Sequence, residues 1–145
     1  MYERVIKFRK LTARERMLFI EALILHLWVG LLLKVMPFRH IPKLFGNPEP
    51  IAHSLKYSVY SPQSAVIELV KNAIGRTGGI SPWKNKCLVS SLAGRCMLRR
   101  RKIESQLSLG VAKDADEKTI AHAWLKAGDF VIVDKYGDFT GLYSF

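Results

Sequence analysis

The stretch Lys86-Cys87-Leu88-Val89-Ser90-Ser91-Leu92-Ala93-Gly94-Arg95-Cys96-Met97-Leu98, with Leu107, Leu109 and Val111 beyond it, decides the fold. Cys87–Arg101 reads as a mostly buried helix, in which Gly94 is the one weak position. After the basic run Arg99–Lys102 the period drops to two, and Leu107, Leu109 and Val111 alternate as in a half-buried strand. Lys113–Thr119 is a polar loop. Ile120–Lys126 and Phe130–Asp134 are strand-like and joined by a tight turn around Gly128, and Tyr136–Phe145 supplies a last strand after a Gly137-Asp138 turn. Helices followed by an antiparallel sheet make an α+β chain, with a helix packed on a small sheet.

Upstream, Thr12-Ala13-Arg14-Glu15 is a capping-box pattern that predicts a helix running to about Met36, before Pro37. Leu18, Glu21, Leu25, Trp28, Leu32 and Val35 follow helical spacing, but leucines cover nearly every face, so the helix must be buried on several sides or meet a partner. Its longest run free of acids and of bases other than histidine is Ala22–Leu33. A membrane span needs about 18 such residues, and Glu21, His26 and Lys34 would be costly in lipid. The segment therefore reads as a buried or partner-facing helix that docks a partner protein, with peripheral membrane contact through residues 13–36 as the alternative. Five of the six prolines fall in residues 37–62, which predicts an irregular connector. Ser61-Pro62 reads as N-cap and first residue of a second helix, whose stripe of Val66, Ile67, Leu69, Val70, Ala73 and Ile74 ends at Gly75. A turn-rich loop over Gly75–Asn85 follows. The expected organisation is an N-terminal helical segment and connector over 1–50 and a core over 51–145, forming one compact unit.

The 145 residues suffice for one domain, and an apolar content of 49% excludes a disordered chain. A formal net charge of +11 favours an acidic partner without choosing among nucleic acid, lipid and peptide. Cys87 and Cys96 would lie about 13 Å apart along one helix axis, too far to be bridged. Two free thiols suit a reducing cytoplasm, and the charged N-terminus lacks a signal-peptide pattern. No zinc-ligand spacing, calcium loop or phosphate-binding glycine loop is present, so neither a metal nor a cofactor is expected.

A thiol nucleophile needs an adjacent base, and the base needs a group to orient it. Cys87 sits where a loop enters a helix; exposed amides, the helix dipole, Lys84 and Lys86 all favour an anionic sulfur there. Cys96, mid-helix beside Met97 and Leu98, reads as a small core residue. His122 and Asp134 are the candidate base and orienting carboxylate. If Ala127-Gly128-Asp129 is a three-residue loop, Lys126 opposes Phe130, Trp124 opposes Ile132 and His122 opposes Asp134, with Cβ atoms about 5 Å apart. A two-residue Gly128-Asp129 turn would instead set His122 against Lys135 and turn Asp134 to the other face. The triad requires the first register. His26, inside the apolar helix, reads as a hydrogen-bonded core residue; Asp114, Asp116 and Glu117 read as a solvated turn. The run Arg95–Lys102 lacks the interleaved aromatics that base stacking needs and reads as a solvated helix end, so no nucleic acid is expected.

The ordered blocks Cys87-Leu-Val-Ser-Ser-Leu-Ala, Met97-Leu-Arg-Arg-Arg-Lys-Ile, Leu109-Gly-Val and Ala121-His-Ala-Trp-Leu resemble the transglutaminase-like leader peptidases of lasso-peptide biosynthesis, as do Leu11-Thr-Ala-Arg-Glu-Arg and Met36-Pro-Phe-Arg. The resemblance covers nearly the whole chain and departs from the family where glycine is common and Lys102 stands. It implies a papain-like or transglutaminase-like fold, with Cys87 as nucleophile, His122 as general base and then acid, and Asp134 as the orienting carboxylate. It implies no cofactor. The implied substrate is a ribosomal precursor peptide cut at its leader–core junction. The implied partners are a separate leader-recognition protein and, as a further candidate, the lasso cyclase. Trp83 is a candidate second oxyanion donor or a packing residue, and Trp124 a shield against water. The rival readings are an acyltransferase using the same triad and a non-catalytic basic binding module.

Overall fold

The computed structural model describes residues 7–36, 40, 63–83, 86–113, 115–128, 130–133 and 140–144. Among the described residues, the helices α1 (Ala13–Val35), α2 (Ser64–Gly78) and α3 (Lys86–Arg100) precede β1 (Gln106–Lys113), β2 (Thr119–Ala127), β3 (Phe130–Val133) and β4 (Thr140–Ser144). The four strands form one antiparallel sheet in the order β3-β2-β1-β4. This is the expected α+β arrangement of a helix on a small antiparallel sheet, with a helix N-terminal to it. The predicted connector over residues 37–62 lies outside the described residues except for His40.

The capping box forms as its sequence predicts. Thr12 Oγ1 accepts from the Glu15 amide at 3.3 Å while Glu15 Oε2 accepts from the Thr12 amide at 2.9 Å. Two exposed donors are thus satisfied at once, which fixes where α1 begins. The second helix differs from expectation at both ends. It begins at Ser64 with Gln63 as N-cap, leaving Ser61 and Pro62 outside the described residues, and it passes through Gly75 to Gly78. Gly75 is exposed with open space around it, so glycine costs only propensity there, and its carbonyl still accepts from the Gly79 amide at 3.3 Å.

Helix α3 is the centre of the molecule, in contact with α1 and α2 on one side and with β1, β2 and β3 on the other. Its Val89, Leu92, Met97 and Leu98 join Ile67, Val70 and Ile74 of α2 and Leu107, Leu125 and Ile132 of the sheet in one core. Each fully buried leucine contributes roughly 1.5–3 kcal/mol of transfer free energy. Gly94 permits the close approach of helix and sheet: a Cβ there would come within 2.9 Å of Leu125 Cδ2.

Helix α3 ends in a Schellman turn. Ile103 donates its amide to Leu98 O and Lys102 donates to Arg99 O, both at 3.0 Å, with Lys102 in the left-handed region at φ 57°. That geometry explains why glycine suits this position. The basic run just before it is only partly solvated. Arg101 grips Glu21 of α1 through two bonds of 2.6 and 3.0 Å, Arg100 adds a third at 3.1 Å, and Arg101 also donates to Met97 O at 2.9 Å. These hydrogen bonds and charges hold the Glu21 carboxyl below its ordinary value. Of the acids read as a solvated turn after β1, Asp116 and Glu117 are exposed, Glu117 pairing with exposed Lys113 at 2.9 Å, and Asp114 lies outside the described residues.

Candidate active site

The chain leaves α2 and turns back on itself, Ile80 donating to Thr77 O at 3.1 Å and Ser81 to Gly78 O at 3.4 Å. Ser81 is then held from two directions. Its Oγ lies 2.6 Å from His26 Nε2 on α1 and accepts from the Trp83 amide at 3.3 Å. The Trp83 indole occupies the space that a side chain at position 30 would need, because a Cβ on Gly30 would lie 2.0 Å from Trp83 Cε2. Helix α1 thereby fixes the segment that ends four residues before Cys87. His26 is fully buried and hydrogen-bonded, as its place in an apolar helix suggested, and burial pushes its imidazole below the usual histidine value. Trp83 Nε1 is buried without a hydrogen-bond partner. The indole packs against Gly30, which matches the packing alternative read for Trp83.

Ser81 and Gly30 were not singled out by sequence reasoning. Gly30 carried a signal nonetheless: a glycine inside an otherwise apolar helix costs about 1 kcal/mol relative to alanine and so calls for a packing reason.

Cys87 is the second residue of α3, partly buried and a free thiol. The first turn around it holds no carboxylate and begins with exposed Lys86; Lys84 and Asn85 lie outside the described residues. Amides at a helix start have no partner within the helix, so a negative charge forming on or beside this sulfur meets donors and the positive end of the dipole. Cys96 differs in kind. It packs against the core, and burial raises its thiol against the opposing pull of Arg99, Arg95 and Arg100. That is the small core residue expected.

His122 stands on β2 opposite Gly110 of β1. Its ring stacks on Trp124, with centroids 6.3 Å apart and planes 24° from parallel. Ala123, Leu125 and Ala127 are buried in the core, so His122, Trp124 and Lys126 occupy the alternate face of the strand. His122 and Trp124 are half-buried there, and Ser108 of β1, opposite Trp124, is buried.

The hairpin register differs from the one the triad required. Ala127 pairs with Phe130 and Lys126 with Val131, and Gly128 has φ 60°. The ladder then shifts by one residue, and Leu125 pairs with Val133. A bulge of this kind opposes two residues of one strand to one of the other and re-aims everything beyond it. The pairing of Lys126 with Phe130 is therefore corrected. Asp134 itself lies outside the described residues.

A nucleophile-type cysteine on the first turn of a central helix, a histidine on the second strand of an antiparallel sheet and a family model spanning both complete the observations. The model of the transglutaminase-like superfamily matches residues 43–144. The chain belongs to the transglutaminase-like superfamily. Membership supports thiol chemistry of the cysteine peptidase or acyltransferase type, and Cys87, His122 and Asp134 all fall inside the matched stretch of this transglutaminase-like chain. Helix α1 lies outside it. Among curated proteins and solved structures, none matches the chain.

Proposed function

We propose that the protein is a cysteine peptidase that removes the leader from a lasso-peptide precursor in the cytoplasm before macrolactam closure. The observation that carries the reading is the placement of Cys87 in the first turn of α3, within the family match and followed in order by the Ala121-His122-Ala123-Trp124 block. The Cys87 thiolate attacks the carbonyl of the last leader residue, and the Cys87 amide is one donor to the resulting oxyanion. His122 gives a proton to the departing amine, which becomes the free N-terminus of the core peptide. Water activated by His122 then cleaves the thioester, releasing the leader carboxylate and restoring the thiol. In this reading Asp134 is the orienting carboxylate, acting from beyond the bulge that pairs Val133 with Leu125 and not from the direct opposition to His122 that a three-residue loop would have given.

Gly94 of α3 meets Leu125 of β2. Cys87 lies seven residues before Gly94, about 10 Å along the helix. His122 lies three residues before Leu125, about 10 Å along the strand. Equal offsets from that contact are what the peptidase reading requires of the helix tip and the start of β2. Because His122 is on the alternate face, it is the tip of α3 rather than its flank that must reach the imidazole. The substrate arrives on a separate leader-recognition protein, and the cyclase takes the product.

Cleavage of a precursor presented by its leader-binding protein is expected to vanish in Cys87→Ala and to persist in Cys96→Ala. Cleavage by the Cys87→Ala protein would refute the assignment. The geometry has its own test: His122→Ala should change the pH profile of Cys87 alkylation by iodoacetamide, and an unchanged profile would mean that the ring lies across the sheet from the sulfur. Acyl transfer is the second reading, since an amine can attack the same thioester. Mass analysis of products with and without added amine separates the two.

A further inference from the structure

The most apolar helix of the protein is also its least covered. On α1, Met17, Ile20, Ile24, Leu27, Leu31 and Val35 are all exposed, from 45% at Leu27 to 74% at Val35. Their spacing of three and four residues makes one continuous stripe, about 27 Å long at 1.5 Å per residue. Trp28 sits beside it, 51% exposed. A patch of this length is well beyond the scattered apolar residues of an ordinary surface and marks a contact.

The charges around the stripe say what it contacts. Exposed Lys7, Arg9, Lys10, Arg14 and Arg16 lie in the chain just ahead of the stripe and exposed Lys34 at its C-terminal end. Both carboxylates of the helix are already engaged: Glu15 by the Thr12 cap and by Arg76 at 3.6 Å, Glu21 by Arg100 and Arg101. The stripe is thus framed by cations, with its acids held by other arginines. We propose that the outward face of α1 lies on an anionic lipid surface, its apolar stripe entering the acyl boundary and its flanking cations meeting phosphate headgroups.

By length and composition α1 could cross a membrane. Its other face rules that out while the fold is intact, because Leu18, Ala22, His26, Val29 and Gly30 are buried against the body of the protein and Glu21 is tied to α3. The helix therefore lies in the interface plane. A second copy is a poor occupant. Stripe-to-stripe pairing brings like-charged ends together on chains of net charge +11. A lipid surface instead supplies both the apolar phase and the opposite charge.

The test is flotation of purified protein with vesicles of phosphatidylglycerol and phosphatidylcholine against phosphatidylcholine alone, and it does not depend on catalysis, so Cys87→Ala protein serves equally well. At least tenfold stronger binding to the anionic vesicles, weakened by salt, is expected. The double variant Ile24→Glu/Leu31→Glu should lose it by tenfold or more. Should that variant fold poorly, Trp28 in the otherwise unchanged chain gives an independent reading: anionic vesicles should blue-shift the emission, and Trp28→Phe should remove that shift. Equal binding to both vesicle types, binding that survives the double variant, or a stripe-dependent dimer in sedimentation would each overturn the proposal.

Discussion

Helices α1 and α3 invert the usual relation between composition and burial. From Met17 to Val35 helix α1 is apolar at every position but Glu21, His26 and Lys34, yet among its residues only Leu18, Ala22, His26, Val29 and Gly30 are buried. Helix α3 carries two serines, a glycine and three arginines, yet buries Val89 through Gly94 without a break and then Met97 and Leu98. The difference is position. Helix α3 is covered by two helices on one side and the sheet on the other, whereas α1 meets the body along one face only. Burial is decided by how many elements surround a helix, and apolar composition only says how much it could use.

That contrast can be broken or sharpened by substitution, starting with the largest effect. Leu92→Ala in α3 removes a fully buried side chain, and its cost should be about 3 kcal/mol in urea unfolding. Gly30→Ala on the inward face of α1 drives a Cβ into the Trp83 ring and should cost about 2 kcal/mol. On the proposed peptidase reading it should also slow precursor cleavage, because the displaced indole belongs to the segment that leads to Cys87. Lys102→Gly should stabilise the chain by about 1 kcal/mol, relieving a left-handed residue in the α3 Schellman turn.

A pH effect belongs to the inward face of α1. Burial lowers the His26 value in the fold from its ordinary 6.5, so between those two values the unfolded chain binds a proton that the folded chain refuses. Stability is complete above about pH 6.5 and falls as the pH drops toward the folded value. His26→Gln should flatten that part of the stability profile measured by urea midpoints. The smallest change is expected on the outward face, where Leu31→Ala should alter stability by less than about 0.5 kcal/mol. A large cost there would mean that something within the chain covers the stripe.

Much of the fold was legible because its signals are local. The Thr12–Glu15 box, the switch from helical to alternating period after Arg101 and the glycine turn at position 128 each depend on neighbouring residues alone, and each formed. Gly75 was misleading because a glycine signals a helix end only when the backbone turns there, and α2 continues with its hydrogen bonds intact. At the site, the different settings of Cys87, in the first turn of α3, and Cys96, packed mid-helix against the core, followed from helix position. The β2–β3 register did not, since a two-residue turn and a three-residue loop are equally compatible with Ala127-Gly128-Asp129, and no local pattern announces the bulge between Leu125 and Lys126.

By itself the sequence determined the elements, their order and the superfamily, because caps, periodicity and ordered motif blocks act over a few residues at a time. Tertiary structure alone decided which face of α1 is buried, that Glu21 joins Arg100 and Arg101, that Ser81 bridges His26 and Trp83, and which strand residues are paired. Each of these is a contact between residues distant in the chain or a choice between registers of similar local energy. Such choices are made only when the whole core closes.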